Sequence, residues 1–128
     1  YPMIDDTRTT VTANWDVPVW PPESNHFGWS SYLGELFESD DVPAHAAPAR
    51  ESNLEGLPPT FIMVGTLDGF ADEDIAYAQR LNHAGVPTEL HVYPGAPHGF
   101  DGFAASTAVA RQARSDINAF LGRMLSPS

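Results

Sequence analysis

The sequence predicts an α/β protein in which helices pack against parallel strands, and three observations lead to this fold class. A wholly apolar run at residues 61–64 lies between a proline pair and a glycine. A helical pattern with marked ends follows it, and a second strand pattern begins at Thr88. An apolar run without alternation is typical of a strand covered on both faces, as in parallel sheets. The order strand, helix, strand favours a right-handed parallel unit.

The first half of the chain is predicted to consist mostly of connecting segments. Residues 1–8 have the pattern of a strand end and the polar loop after it, and residues 9–56 form an irregular segment with one helix. That helix is expected to run from an Asn25 cap to Phe37. An apolar stripe at helical spacing favours packing on the core, and the alternative is the wall of a substrate pocket. The stripe consists of Trp29, Tyr32, Leu33, Leu36 and Phe37.

The second half, residues 57–128, is predicted to contain strand, helix, strand and helix in that order. The first of these helices begins near Asp72, within an acidic run that suits the positive end of the helix dipole, and it ends before Gly85. The second strand covers residues 88–93, and the last helix covers residues 104–124. Three strands, one of them cut short at Tyr1, give little sheet for these helices. We therefore expect the 128 residues to be part of one larger α/β domain.

Asp68 and His98 are the candidate catalytic residues, since each follows a predicted strand. The carboxyl ends of parallel strands lie at one edge of a sheet, so we expect the two side chains to be neighbours. A carboxylate that orients an imidazole lets the ring carry a proton to and from a nucleophile. The structural alternatives are an Asp68 that caps the turn after its strand and a His98 that is only solvated. Asp72 is a rival acid, but its place at a helix start favours N-capping.

Composition disfavours several kinds of partner and site. Seventeen acidic and six basic residues give a formal charge of −11, which disfavours nucleic acid and anionic membrane surfaces. There is no cysteine, and the two acidic runs have the pattern of solvated faces rather than calcium loops. We therefore predict no metal and no cofactor, a small-molecule substrate and, with no apolar span or leader in view, a cytoplasmic location. The other histidines show no metal-ligand spacing: His26, His45, His83 and His91.

Residues 56–100, which contain GTLDG and PHGF, resemble the carboxy-terminal part of α/β-hydrolase esterases of the hormone-sensitive-lipase type. The segments YPMIDD and FGWSSYLG are similar to the preceding parts of those enzymes. The resemblance implies a Ser-Asp-His triad in that chain order, with the Ser on a G-x-S-x-G turn and an oxyanion hole from an HGGG-type segment. Asp68 would be the triad acid and His98 the triad base.

Neither G-x-S-x-G nor HGGG occurs in the 128 residues. The resemblance therefore implies that the nucleophile and the oxyanion donors belong to a missing N-terminal part of the protein. Without them, this chain alone is expected not to hydrolyse esters. Trp29, Tyr32, Leu33 and Phe37 are candidate substrate-binding residues for an acyl or alcohol group, and the expected substrate is a small ester.

Three alternatives remain open at this stage. The HGF motif is also similar to that of dienelactone hydrolases, whose nucleophile is a cysteine. Plant gibberellin receptors are similar binding proteins that lack the triad histidine, so the presence of His98 favours an enzyme. The last alternative is a catalytically silent fragment that self-associates through an exposed sheet edge.

Overall fold

A computed structural model describes residues 1–7 and 17–126 of the chain. Residue 8 and the first part of the predicted irregular segment, residues 9–16, lie outside the described residues. No helix within the described ranges is long and apolar enough to cross a membrane. The elements are α1 (Pro22–Leu33), β1 (Thr60–Leu67), α2 (Ala71–His83), β2 (Thr88–Pro97), α3 (Phe100–Phe103) and α4 (Ala108–Leu125), with 3₁₀ turns at Gly34–Leu36 and Pro48–Arg50.

The two strands form a parallel pair, which confirms the predicted fold class. Thr60 lies opposite Thr88, and the register holds to the pair Gly65 and Tyr93, after which it shifts. A Cβ at Gly65 would lie 1.9 Å from the backbone oxygen of Ala96, so only glycine permits this approach of the two backbones. The shift brings the ends of β1 and β2 together at one edge of the sheet.

Helices cover both faces of this pair. Ile62 packs with α2 and its neighbour Met63 packs with the cluster beneath α4, because successive strand residues point to opposite faces. A third cluster joins α1 to the loop after it, apart from the sheet. The buried members are Leu54, Ile62, Ala78, Leu81 and Val86 in the first cluster, Tyr93, Ala96, Phe100, Ala110 and Ala113 in the second, and Trp29, Leu33, Val42 and Ala47 in the third.

The first helix differs from its predicted limits at both ends. It begins at Pro22, whose ring fixes φ for a first helical turn, so Asn25 is a buried interior residue and not the cap. It ends at Gly34, which has φ of 57° and turns the chain before Phe37. Residues 1–4, predicted as a strand end, are not part of the sheet, although the backbone nitrogen of Tyr1 donates to the Met63 carbonyl at 2.6 Å.

The second half follows the predicted order, with two local differences. Phe70 occupies the cap position of α2 without a side-chain bond, so Asp72 lies in the first turn and is not the cap. The last helix is divided: α3 follows β2 at once, and α4 begins later, where the Thr107 hydroxyl accepts from the Ala110 nitrogen. A capping side chain of this kind stabilises the start of a helix by about 1 kcal/mol.

Candidate active site

Asp68 lies directly after β1 and is completely buried, with 0 % of its surface exposed. Its backbone nitrogen donates to the Gly65 carbonyl at 3.1 Å, and its Oδ1 accepts from the Phe70 nitrogen at 3.0 Å. These bonds are those of a capped turn, which the sequence offered as the structural alternative. They occupy one carboxylate oxygen and leave Oδ2 for another partner.

That partner is His98, the first residue after β2. Its Nδ1 lies 3.1 Å from Asp68 Oδ2, and 24 % of its side chain is exposed. Gly99 follows with φ of 72°, a left-handed conformation that turns the chain straight into α3 and keeps His98 at the strand end. Asp68 and His98 are thus brought together from the ends of two neighbouring strands.

The arrangement leaves one nitrogen of the imidazole available. With its proton on Nδ1, His98 donates to the buried carboxylate, and Nε2 becomes an acceptor. Nε2 makes no hydrogen bond to any residue in the described ranges. A partly exposed imidazole with its second nitrogen unbonded can take a proton from a hydroxyl or a water and return it.

Three aromatic rings surround the imidazole of His98. The ring centroids lie 4.8 Å away for Tyr1, 5.2 Å for Phe70 and 5.9 Å for Trp20. Tyr1 and Phe70 meet the imidazole nearly edge to face, at interplanar angles of 67° and 78°. No pattern in the sequence pointed to a contact of Tyr1, Trp20 or Phe70 with His98.

The first turn of α2 places two acids behind this pair, where the sequence predicted a solvated face. Glu73 is buried, and its Oε1 accepts from the backbone nitrogens of Ile4 at 2.8 Å and of Asp5 at 3.3 Å. Asp74 is completely buried, and its Oδ2 lies 3.8 Å from the backbone nitrogen of Tyr1. Burial raises the pKa of Asp74 to about 8, with smaller raising contributions from Glu73 and Asp68. Acidic residues in a first turn are normally exposed, so their spacing gave no signal for this burial.

The predicted substrate-binding residues occupy different surroundings. Trp29 and Leu33 are buried in the third core cluster, Phe37 is half-buried against it, and Tyr32 has 62 % of its surface exposed. Trp29 and Phe37 line a cavity of about 340 Å³, and neither Asp68 nor His98 belongs to its lining. Substrate binding by these four residues therefore stays a prediction.

The described part of the chain contains no group of three or more His, Cys, Asp or Glu residues arranged to hold a metal ion. Asp68 and His98 can perform proton transfer with their own side chains.

Comparisons with known proteins agree with this architecture. A model of the α/β-hydrolase fold family matches residues 1–102. Esterase LipI of Mycobacterium tuberculosis is 33 % identical over 109 residues, which cover 85 % of this chain and 34 % of that protein. Hormone-sensitive lipase of Bos taurus is 40 % identical over 65 residues, which cover 51 % of this chain and 9 % of that protein. These matches confirm the resemblance to esterases of the hormone-sensitive-lipase type.

A solved structure of a bacterial heroin esterase superposes on the chain with a TM-score of 0.92 and 38 % sequence identity. The superposition covers 98 % of this chain and 41 % of that structure. The chain thus spans about a third of LipI and less than half of the solved esterase.

Proposed function

The chain belongs to the α/β-hydrolase fold family, and on that premise we propose that the whole protein is a carboxylic-ester hydrolase working through an acyl-enzyme intermediate on a serine. Asp68 is the acid of the triad and His98 its base. The observation that carries the proposal is the contact between a completely buried carboxylate and a partly exposed imidazole at the shared edge of two parallel strands. The esterase names of the similar proteins support the same reaction class.

In this mechanism His98 Nε2 takes the proton of the serine hydroxyl while the serine oxygen attacks the ester carbonyl. The imidazolium then gives that proton to the departing alcohol. In the second half, Nε2 takes a proton from water, the hydroxide attacks the acyl-enzyme, and the proton returns to the serine oxygen as the acid leaves. Asp68 holds the Nδ1–H and stabilises the imidazolium, and it stays ionised throughout.

The serine and the oxyanion donors come, in this proposal, from a part of the protein that precedes Tyr1. Supporting this, the 128 residues contain no G-x-S-x-G and no HGGG segment. Asp68 and His98 need a positioned nucleophile to form the acyl-enzyme. They also need hydrogen-bond donors that stabilise the oxyanion. We therefore propose that the 128-residue chain is inactive by itself.

The substrate in this proposal is a small carboxylic ester, and no cofactor is needed. Trp29 and Phe37, which line the cavity beside α1, are candidate contacts for its acyl or alcohol group. Leu33 and Tyr32 remain candidates on their position in the sequence alone.

The test is a comparison of two histidine variants in the full-length protein, assayed with a short-chain p-nitrophenyl ester. His98→Ala is expected to lower kcat/KM by about 10³-fold or more, because it removes the only proposed base. His91→Ala is the matched control, since His91 also pairs with carboxylates but lies within β2, and its activity should stay within about threefold. An unchanged rate in the His98 variant would contradict the assignment.

A labelling experiment separates the serine mechanism from the cysteine alternative. A fluorophosphonate labels an activated serine, so it should modify the parent protein and fail to modify the His98→Ala variant. Labelling by iodoacetamide with loss of activity, and none by the fluorophosphonate, would favour an enzyme of the dienelactone-hydrolase kind.

A further inference from the structure

We infer that Tyr1 and Trp20 are positioning residues for His98, whose rings hold the imidazole in the orientation that keeps Nδ1 on Asp68 and Nε2 outward. The inference rests on the proposed function, since it explains how the proposed base is held. Neither aromatic residue touches the reacting atoms in this role. Both act through the imidazole.

Tyr1 links the strand that carries Asp68 to the segment that carries His98. Its backbone nitrogen donates to the Met63 carbonyl of β1 at 2.6 Å. Its hydroxyl donates to Asp101 Oδ1 at 2.5 Å, and Asp101 lies in α3, three residues after His98. Burial, and then the hydrogen bond to Asp101, raise the pKa of Tyr1 to about 12, so the hydroxyl stays a donor at neutral pH. With its ring 4.8 Å from the imidazole, Tyr1 ties His98 and its loop to the sheet.

Trp20 contacts the imidazole from the segment that precedes α1. Its ring lies 5.9 Å from the His98 ring and 6.4 Å from the Phe70 ring. The far edge of the indole lies against Gly28, where a Cβ would be 3.4 Å from Trp20 Cζ2. Trp20 Nε1 is buried and makes no hydrogen bond within the described ranges. The indole packs against His98 between α1 and the loop after β1.

Packing matters here because one hydrogen bond does not hold an imidazole. The bond from Nδ1 to Asp68 fixes one point of the ring, and rotation about the Cβ–Cγ bond remains open unless neighbouring atoms exclude it. Rings on several sides exclude the other orientations.

The test uses two substitutions in the full-length protein, Tyr1→Phe and Trp20→Leu. Misplacing a catalytic group by about 1 Å can lower a rate by about 10²-fold. We expect kcat to fall by about 10-fold to 100-fold in Trp20→Leu and by about 3-fold to 10-fold in Tyr1→Phe, which loses only the hydroxyl. KM should stay within about twofold in both, because neither residue contacts the substrate in this role.

Each variant has a matched control elsewhere in the chain. Tyr93→Phe removes a similar phenol-to-carboxylate bond, from Tyr93 to Asp116 Oδ2 at 2.7 Å. Phe61→Leu removes a ring that lies 5.1 Å from a histidine outside the site, His91. Both controls should keep kcat within about twofold. A merely structural role for Tyr1 and Trp20 predicts instead that variants and controls lose stability and activity to similar extents.

A second measurement follows the imidazole itself. The ¹⁵N chemical shifts of the His98 ring report which nitrogen carries the proton, and they do not require catalysis. The parent should show the Nδ1–H form at high pH, and Trp20→Leu should show a mixture of the two neutral forms. If the full-length protein does not hydrolyse the ester but Trp20→Leu shows this ¹⁵N change, the proposed function is overturned and the positioning role still stands.

Two results would overturn the inference. The first is that both Trp20→Leu and Tyr1→Phe match their controls in kcat and leave the ¹⁵N spectrum of His98 unchanged. The other result comes from Trp20→Phe, which keeps an aromatic ring at this position. This variant is used if Trp20→Leu does not fold. Trp20→Phe should retain activity within about threefold, and a loss of 100-fold in this folded variant would contradict positioning by an aromatic ring.

Discussion

Two histidines, His91 within β2 and His98 directly after it, have similar partners and different surroundings. His91 Nε2 lies 2.8 Å from Glu89 Oε1, and its Nδ1 lies 3.4 Å from Asp116 Oδ2. It also lies among aromatic rings, Phe61 at 5.1 Å and Tyr93 at 6.0 Å. By distance to a carboxylate and by aromatic contact, His91 would qualify as a catalytic histidine as well as His98 does.

The difference lies in the number and burial of the acids. Both ring nitrogens of His91 face carboxylates, and these acids are partly exposed, Glu89 by 33 % and Asp116 by 19 %. His98 has one carboxylate partner, which is completely buried, and its Nε2 makes no bond to a described residue. His91 is also held within a strand under α4, whereas His98 stands beyond the strand end.

This comparison shows which features a histidine needs for proton transfer to a third group. One nitrogen must be held by an acid, and the other must remain available where a reactant can approach. His91 meets the first condition twice and fails the second. A short distance between a histidine and a carboxylate is therefore weak support for catalysis unless the other nitrogen is accounted for.

The largest expected effect comes from exchanging one carboxylate for an amide at each histidine. Asp68→Asn in the full-length protein should lower kcat by about 10⁴-fold, since an amide at this place favours the wrong tautomer of the imidazole. Glu89→Gln, which changes the nearer partner of His91, should leave kcat within about twofold. The measurement is steady-state hydrolysis of a p-nitrophenyl ester, and equal losses in both variants would erase the distinction between the two histidines.

The next effect concerns the free energy of unfolding. Asp74 is expected to lower it as the pH rises, and Asp116 is expected to lower it as the pH falls. Because burial raises the pKa of Asp74 to about 8, the folded protein keeps a proton that the unfolded chain releases above about pH 4. The protein with Asp74 unchanged, the parent of this comparison, therefore loses stability as the pH rises from about 4 to 8. Asp74→Asn should remove this loss, so its advantage over the parent should grow by about 1 kcal/mol per pH unit across that range. Urea unfolding at pH 5, 6, 7 and 8 measures it.

The control for this pH series is Asp116→Asn. The hydrogen bond from Tyr93 lowers the pKa of Asp116, so this acid stabilises the fold above its unfolded pKa, and the contribution is lost as the pH falls. The Asp116→Asn variant should therefore be less stable than the unsubstituted protein by a constant amount between pH 5 and 8, and should approach it only below about pH 4. A flat difference between pH 5 and 8 for Asp74→Asn would show that its carboxyl is ionised in the folded protein.

A smaller effect is expected from Gly65→Ala, which acts on the end of the sheet. The new Cβ would lie 1.9 Å from the Ala96 oxygen, so the backbones must separate at a cost of about 2 kcal/mol. This contact lies beyond the regular pair of Met63 with His91 and before Asp68 and His98. The ¹⁵N signals of His98 should therefore shift while those of His91 stay in place. Gly122→Ala, whose Cβ meets no atom within 4 Å, is the control, and it should stabilise α4 slightly.

Several features could be predicted because their signals are local in the sequence. The apolar run of β1, the acidic start of α2 and the Gly85 break each specify a short segment through its own backbone and solvent preferences. The early start of α1 at Pro22 also had a signal, a proline suited to a first helical position, which the Asn25 cap hypothesis overlooked.

Other features depend on distances between separate segments and had no local signal. Asp74 is completely buried although it lies in the first turn of α2, and the nitrogen of the distant Tyr1 lies 3.8 Å from its carboxylate. The ring contacts of Trp20 with His98 join residues from two distant parts of the chain.

The sequence by itself determined the fold class, the order of the second-half elements and the two strand ends where an acid and a histidine would stand. Only the tertiary structure decided that His98 pairs with a single buried carboxylate while His91 is held by two partly exposed ones. The physical reason is that hydrophobic periodicity and turn residues specify the backbone conformation only within a few residues of their own position. The solvation of a carboxylate and the availability of a ring nitrogen depend instead on what packs around them, and the register shift at Gly65 sets part of that packing.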